Sequence, residues 1–389
     1  MCREEAASNA LLSAVLLRGT KNYPDIRRLS ARQAALYGLS VSPLLRRIGD
    51  IQTVGLFAGF LEDRFALPGD QILAPVIDLV REILLEPALT EGRFAPEFVE
   101  SEQRNQIADI ESELNEKQAY ASAKMLRHLC AGDSFALELR GQVADVERIT
   151  PQSLFANYQT VLRRSPVEIF YVGSADAQTV AGLLKPLAEQ IAGDPEAMPA
   201  QTILTPNPEK ARLSERMEVN QCKLSMGFTT PVINTHPDFA AMQVLIALYG
   251  AGMTSKLFMN VREKLSLCYY ANAGFYGSKG VVTVSSGIDE ANYETARAEI
   301  LHQLSLCAQG AITEEELSAA KQALVSGLRS IPDSPGALER FYGTASISGM
   351  PYTLPGYIDA ICAVTAEDAA RAAASITYHS EFFLKGAEK

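Results

Sequence analysis

The sequence has no tryptophan, four histidines and six cysteines in 389 residues. Each shortage excludes a class of chemistry. His128, His236, His302 and His379 stand too far apart for two to share a helical turn, so HExxH and HxxEH are both absent. Each of the four reads as structural or exposed. GxSxG is absent as well, which removes the serine-hydrolase elbow. Cys2, Cys130, Cys222, Cys268, Cys307 and Cys362 are scattered without a CxxC pair, the pattern of a reduced chain with buried thiols. No apolar run reaches membrane-spanning length. The run ALLSAVLL has the length of a signal-peptide core, but Glu4 and Glu5 precede it where positive charge is needed. A cytoplasmic location is expected. The net charge of -11 leaves no basic excess for nucleic acid or an anionic membrane.

What remains is ordinary for a globular protein: 47% hydrophobic and 21% charged residues, in a length that suits two or three domains. The order of elements repeats. An apolar helix ends at Gly19, a long polar helix starts near Ala95, a short helix follows Thr150, and the strand VEIFYVG ends at Gly173. In the second half, DFAAMQVLIALYG ends at Gly250 and a long helix starts at Thr313, where Thr313 and Glu316 form a capping box. A short helix follows Thr365, and the strand SEFFLKG ends at Gly386. SVSPLLRR and IQTVGLFAGFL flank the turn at Ile48-Gly49-Asp50 and predict a hairpin; SLCYYANAGFYG and GVVTVSSGI predict another. The reading is α+β: two tandem homologous domains, 1–191 and 212–389, each a mainly antiparallel sheet with helices on one face. The Pro-rich stretch 192–211 joins them. The second half opens with the strand MEVNQCKLSMGFTT before its apolar helix, whereas the first has only MCREEAAS there. By its own symmetry the chain is expected to lack about one or two N-terminal strands of typical length; either its true start lies upstream or its first sheet has an unusual edge.

Two stretches invite a stronger reading. The loop GAGMTSK (Gly250–Lys256) hints at a nucleotide-binding turn, but a helix precedes it where a strand is required, so it reads as a helix end and a turn. The polar helix around Glu97–Arg127 carries Glu100, Glu102, Asp109, Glu111, Glu113 and Glu116, by default a solvated acidic face.

ALLSAVLLRGT followed by LYG, the repeat, and SKLFMNVREKLSLCYY together resemble the insulinase/pitrilysin family of zinc peptidases, over nearly the whole chain. The implied fold is that of the mitochondrial processing peptidase-like metallohydrolases. In that family the first helix carries HxxEH and ends in a GT like Gly19-Thr20. Laid over this chain, the two zinc histidines fall on Ala10 and Ala14 and the general-base glutamate on Ser13. The third ligand falls on Asp109, seven residues after Glu102. The second-half motif is present as Arg262-Glu263-Lys264 and Leu267-Cys268-Tyr269. The segment NEKQAYA (Asn115–Ala121) looks closer to the non-catalytic branch, the silent half of paired bacterial peptidases.

The chemistry agrees with that branch. A catalytic zinc needs about three N, O or S donors. Ala10 and Ala14 offer methyl groups, and the Ser13 hydroxyl is no substitute for a carboxylate base. No catalytic residue, metal or cofactor is expected. The resemblance implies that Arg262 and Tyr269 contact peptide substrate, opposite a metal centre that a second protein supplies. That partner would be an HxxEH-bearing subunit in a heterodimer; a homodimer is the other arrangement. The edge strand in SVSPLLRR offers a peptide a backbone ladder, weakened by Pro43. Two rival readings are a scaffold or peptide-binding protein outside proteolysis, and an enzyme of new chemistry built on Cys268.

Overall fold

A computed structural model of the chain describes residues 3–191 and 193–387. Cys2 and Ala192, the first linker residue, lie outside them. The first half contains the helices α1 (Arg3–Leu16) and α2 (Ile26–Ala35), and the strands β1 (Ser40–Ile48) and β2 (Ile51–Gly59). Helix α3 (Leu73–Leu85) follows, then the short strands β3 (Leu89–Thr90) and β4 (Arg93–Phe94). Next come α4 (Pro96–Ser112), α5 (Lys117–Leu129), α6 (Val143–Glu147), α7 (Pro151–Arg164) and α8 (Ala177–Ile191). The second half begins with β5 (Arg212–Met217), β6 (Cys222–Thr229) and α9 (Phe239–Gly250). A π-helix (Leu257–Lys264) leads into β7 (Cys268–Tyr276) and β8 (Val281–Ile288). The chain continues through α10 (Tyr293–Ala308), α11 (Glu314–Ser330), α12 (Pro335–Ser348), α13 (Leu354–Ala363), α14 (Ala366–Ala374) and β9 (Thr377–Gly386).

The chain divides into two compact units, Met1–Ser112 with Leu137–Pro199, and Glu113–Ala136 with Ala200–Lys389. In the first, the β1-β2 hairpin closes through Gly49 and Asp50, with Ile48 opposite Ile51. Gly49 adopts φ 58°, which this two-residue turn requires. The core gathers one face of α1 (Ala7, Leu11, Val15) with Leu29, Ile72, Ile83, Val99 and Leu154. After α1 the chain turns sharply: a Cβ on Gly19 would stand 2.8 Å from the Pro24 backbone. The Glu82 carboxylate accepts hydrogen bonds from Thr20 Oγ1 and Asn22 N, at 2.5 and 3.0 Å. The Gly19-Thr20 pair is thereby fixed to α3.

The second unit holds a five-stranded sheet in the order β5-β9-β6-β8-β7. The β5-β9 pair is parallel and the other pairs antiparallel. Leu224, Met226, Phe228 and Phe383 point into a core built on α9, an all-round apolar helix as its sequence requires. On the opposite face Phe382 and Leu384 pack with Ala121, Met125 and Leu129 of α5. Gly227 admits that helix, because a Cβ there would meet the Met125 sulfur at 2.3 Å.

Two expectations need correction. The single helix read over Glu97–Arg127 is two, broken at residues 113–116. The buried side chains of α4 are Val99, Glu102 and Gln106, and those of α5 are Ala121, Met125 and Leu129. The two stripes serve different cores, so the acidic ELNE stretch between them unwinds. The strand read in VEIFYVG is not formed: Val167–Val172 has no regular structure, and Gly173 lies in a bend. Its apolar composition satisfies strand propensity, but no neighbouring strand is there to pair with it. The second-half features do form, including the Thr313–Glu316 capping box, with Thr313 N donating to Glu316 Oε2 at 2.9 Å and Glu316 N to Thr313 Oγ1 at 3.2 Å.

Candidate functional site

Helix α1 holds three of the four positions that the zinc chemistry would need. Ala10 and Ala14 are half-buried, and Ser13 is 1% exposed with no hydrogen-bond partner for its hydroxyl. A buried unpaired hydroxyl costs about 1–3 kcal/mol, so this serine supports neither packing nor proton transfer. Arg3 at the start of the helix pairs with Asp145 at 2.8 Å, and along the rest of it neutral amides make polar contacts. Gln52 Nε2 donates to the carbonyls of Ala6 (3.1 Å) and Leu139 (2.8 Å). Gln106 Nε2 donates to those of Ala7 (3.2 Å) and Arg140 (2.7 Å). Asn157 Nδ2 donates to Asn9 Oδ1 at 2.9 Å. These amides have no spacing signature and were not foreseeable from sequence. They tie α1 to its surroundings without any charge.

The acidic helix gives no better support for a metal. Glu102 is buried and binds the Arg18 guanidinium, with Asn105 Nδ2 donating to its other oxygen at 3.1 Å. Arg18 meets Glu102 while Ala7 meets Gln106, so α1 and α4 run antiparallel. Asp109 therefore lies a turn beyond Gln106, toward the start of α1 and away from Ala14. Its side chain is 66% exposed and stands 3.8 Å from Arg140 Nε. Among the described residues no three His, Cys, Asp or Glu side chains form a group that could hold a metal ion. The donor set does not fit zinc: two methyls, a hydroxyl and one solvent-facing carboxylate.

In the second unit Arg262 and Tyr269 occupy an unusual backbone. Arg262 lies in the π-helix, where Leu265 N donates to Asn260 O at 3.1 Å. Ser266 then adopts φ 50°, left-handed for a residue with a Cβ. The β7-β8 register shifts between Cys268 and Tyr270, which places Tyr269 in a β-bulge, 64% exposed. The Arg262 guanidinium lies 4.6 Å from the Phe258 ring centroid and 3.3 Å from Glu263 Oε1. Leu257 and Val261 anchor the same helix in the core.

The other candidates are structural. Burial pushes the Cys268 thiol up, and neither Ser286 nor the Arg262 charge offsets it, so it is a poor nucleophile. Lys256, at the end of GAGMTSK, is buried against Glu316 at 2.7 Å. His379 is buried between Asn207 O (2.6 Å) and Ser380 Oγ (2.7 Å). His128 Nε2 contacts Glu209 O at 2.9 Å. Cys222, Cys268 and Cys307 are buried free thiols, Cys362 is an exposed one, and Cys130 is buried.

Comparison with known proteins agrees with this picture. Residues 148–324 match the family model described as Peptidase M16 inactive domain. The "Probable inactive metalloprotease YmfF" of Bacillus subtilis is 28% identical over 391 residues, covering 100% of this chain and 91% of that protein. A conserved protein from Enterococcus faecalis superposes with a TM-score of 0.89 at 29% identity, over 100% of this chain and 91% of that one. A peptidase M16 inactive domain from Pseudomonas fluorescens gives 0.79 at 16% identity, over 98% and 88%, and shows the shared fold alone. With its metal-ligand positions replaced, the chain is similar over its whole length to a probable inactive metalloprotease, and residues 148–324 match the inactive-domain model of the M16 peptidases.

Proposed function

We propose that this chain is the non-catalytic subunit of a heterodimeric zinc peptidase in the cytoplasm. An HxxEH-bearing family member supplies the metal, and Arg262 and Tyr269 of this chain contact the peptide substrate. In this reading the two halves, 1–191 and 212–389 joined by 192–211, descend from one repeated domain.

The backbone around the pair carries the proposal. A π-helix, a left-handed serine and a β-bulge follow one another within Leu257–Tyr270. A left-handed non-glycine residue costs about 1 kcal/mol or more, and π-turns and bulges concentrate at functional sites. Leu257, Val261 and Cys268 pack into the core from this stretch, and Arg262 and Tyr269 do not. The costly backbone serves instead to expose one arginine and one tyrosine. Guanidinium and phenol donors suit a peptide carbonyl or a developing oxyanion. The helix α1, bare of donors, explains why the metal must come from elsewhere.

Co-purification of the natural complex tests the partnership, followed by peptidase assay with Arg262→Ala and Tyr269→Phe. The expected result is an HxxEH-bearing partner whose peptidase rate falls at least about 10-fold with Arg262→Ala. A partner fully active alone would instead favour the scaffold or peptide-binding reading. One feature supports that alternative: β1 pairs only with β2 among the described strands, leaving a nine-residue edge for an extended peptide.

A further inference from the structure

Two of the chain's four histidines converge on one short stretch of the second unit. Residues 205–211, TPNPEKA, carry the chain into β5. Pro206 and Pro208 lack backbone donors and keep the residues before them extended, and the stretch forms neither helix nor strand. Its polar groups are met from outside instead. Asn207 N donates to Leu129 O at 2.9 Å, and Asn207 Nδ2 to His128 O at 3.1 Å. His128 Nε2 lies 2.9 Å from Glu209 O, and His379 Nε2 lies 2.6 Å from Asn207 O. A carbonyl accepts and cannot donate, so both rings carry a hydrogen on Nε2.

The sheet bends its own rules to place His379. Gly227 of β6 faces Ser380 and Phe228 faces Tyr378, so the register shifts and His379 faces no residue of β6. Such a bulge re-aims a side chain. Hydrogen bonds then run through the ring. Ala211 N donates to Ser380 Oγ at 2.9 Å, and Ser380 Oγ lies 2.7 Å from His379 Nδ1. With Nε2 turned to Asn207 O, Nδ1 of the neutral ring is the acceptor, and the serine hydroxyl donates to it. A proton added at Nδ1 sets two hydrogens against each other. It also charges a residue that is 4% exposed. Lys210 of the connector and His128 of α5, with its ring centroid 6.5 Å away, both oppose that charge. Arg127 precedes His128 on α5. The nearby acids are engaged elsewhere or face water: Glu381 of β9 pairs with Arg297 and Arg212, Glu215 of β5 pairs with Lys124 of α5, and Glu209 is exposed. The bond to Asn207 O favours the charged ring but is outweighed, and burial holds the pKa of His379 below its ordinary 6.5.

We propose that His128 and His379 form a proton-operated clasp on residues 205–211, closed when both rings are neutral and opened by their protonation. Opened, it loosens the last crossing of the chain from the first unit, which ends at Pro199, into the second, while the sheet stays folded. The linkage has one sense. A closed clasp takes up a proton on His379 less readily than a free imidazole does. Closure is therefore complete above pH 6.5 and weakens as pH falls below it. The residues just before the clasp are held without histidine. Leu204 is buried and its N donates to Lys279 O at 2.9 Å, while Lys279 Nζ stands 3.0 Å from Asp133 Oδ2. Opening is thus confined to 205–211. The proposal is independent of any peptidase role.

Amide hydrogen exchange on the full chain, corrected for the intrinsic effect of pH, tests it at about pH 7.5 and about pH 5, on either side of the histidine range. Protection of Asn207 and Ala211 is expected to fall at least about 10-fold at the lower pH, while Cys222–Thr229 of β6 keeps its own. His379→Gln, whose amide can still donate to Asn207 O, should hold the stretch protected at both. Lys210→Gln, at an exposed position, should shrink the drop, because one charge opposing protonation is gone. Equal protection of the stretch at both pH values overturns the proposal. So does a drop shared equally by β6, which is global unfolding, or a drop that persists in full in His379→Gln.

Discussion

Arg140 Nε stands 3.8 Å from Asp109 Oδ2, both side chains open to solvent. The one carboxylate left among the four zinc positions has a cation beside it. Purified protein incubated with zinc and dialysed should hold far less than one equivalent by elemental analysis. EDTA should leave its melting temperature unchanged, since no folding energy is linked to metal.

Ser13→Ala should stabilise the protein by about 1 kcal/mol, because it removes a buried hydroxyl that has no partner. Ser13→Glu, which restores the family's general base, should destabilise by several times that, since a carboxylate would be buried without a cation or metal. Chemical denaturation of the two variants, read as midpoint shifts of opposite sign, checks both.

Gly227→Ala should cost about 1–3 kcal/mol, because the new methyl meets Met125 and Leu129 of α5 at 2.3 and 3.0 Å. Pairing it with Met125→Ala should recover part of the loss. Additive losses in that double-mutant cycle would refute the packing of α5 on this sheet.

Glu381 gives the second unit an acid-sensitive point. Burial alone pushes its carboxyl up, but the hydroxyls of Tyr293 and Tyr378 and the Arg297 guanidinium outweigh that and hold it below the ordinary carboxylate value. Arg297 Nε lies 2.7 Å from Oε2 and Tyr378 OH also 2.7 Å. A carboxyl depressed in the folded state contributes stability that is complete above its unfolded pKa. That contribution is lost as pH falls through the lower folded value. Glu381→Gln should therefore cost about 3 kcal/mol at neutral pH and flatten the acid limb of the stability profile.

His379 behaves in the opposite protonation sense. Burial lowers its pKa, aided by the charges of Lys210 and His128 and opposed by the hydrogen bond to Asn207 O. A histidine depressed in the folded state favours folding most when neutral. Its contribution is present above the unfolded value near 6.5 and declines as pH falls below it. Urea titrations across that range should show the loss in the natural protein and a flatter profile in His379→Gln.

Arg262→Ala should leave stability within about 0.5 kcal/mol, because the guanidinium is partly exposed and meets Phe258 and Glu263 at the surface. A larger loss would mean that the arginine holds the π-helix together and is not reserved for a ligand.

Much of this protein was legible one residue at a time. The absence of imidazoles at positions 10 and 14 follows from the letters alone, because a methyl group has no lone pair in any conformation. The apolar α9, the two hairpins and the Thr313–Glu316 capping box follow from periodicity and from turn and cap chemistry, which act over a few residues. Tertiary structure decided what depends on distant partners. It parted α4 from α5, because their apolar stripes belong to different cores. It left VEIFYVG unpaired, because a strand exists only where another lies beside it. It turned Asp109 to Arg140, surrounded α1 with the amides of Gln52, Gln106 and Asn157, and raised Tyr269 on a bulge. None of these has a local signature, since each energy is set by atoms brought together from across the chain.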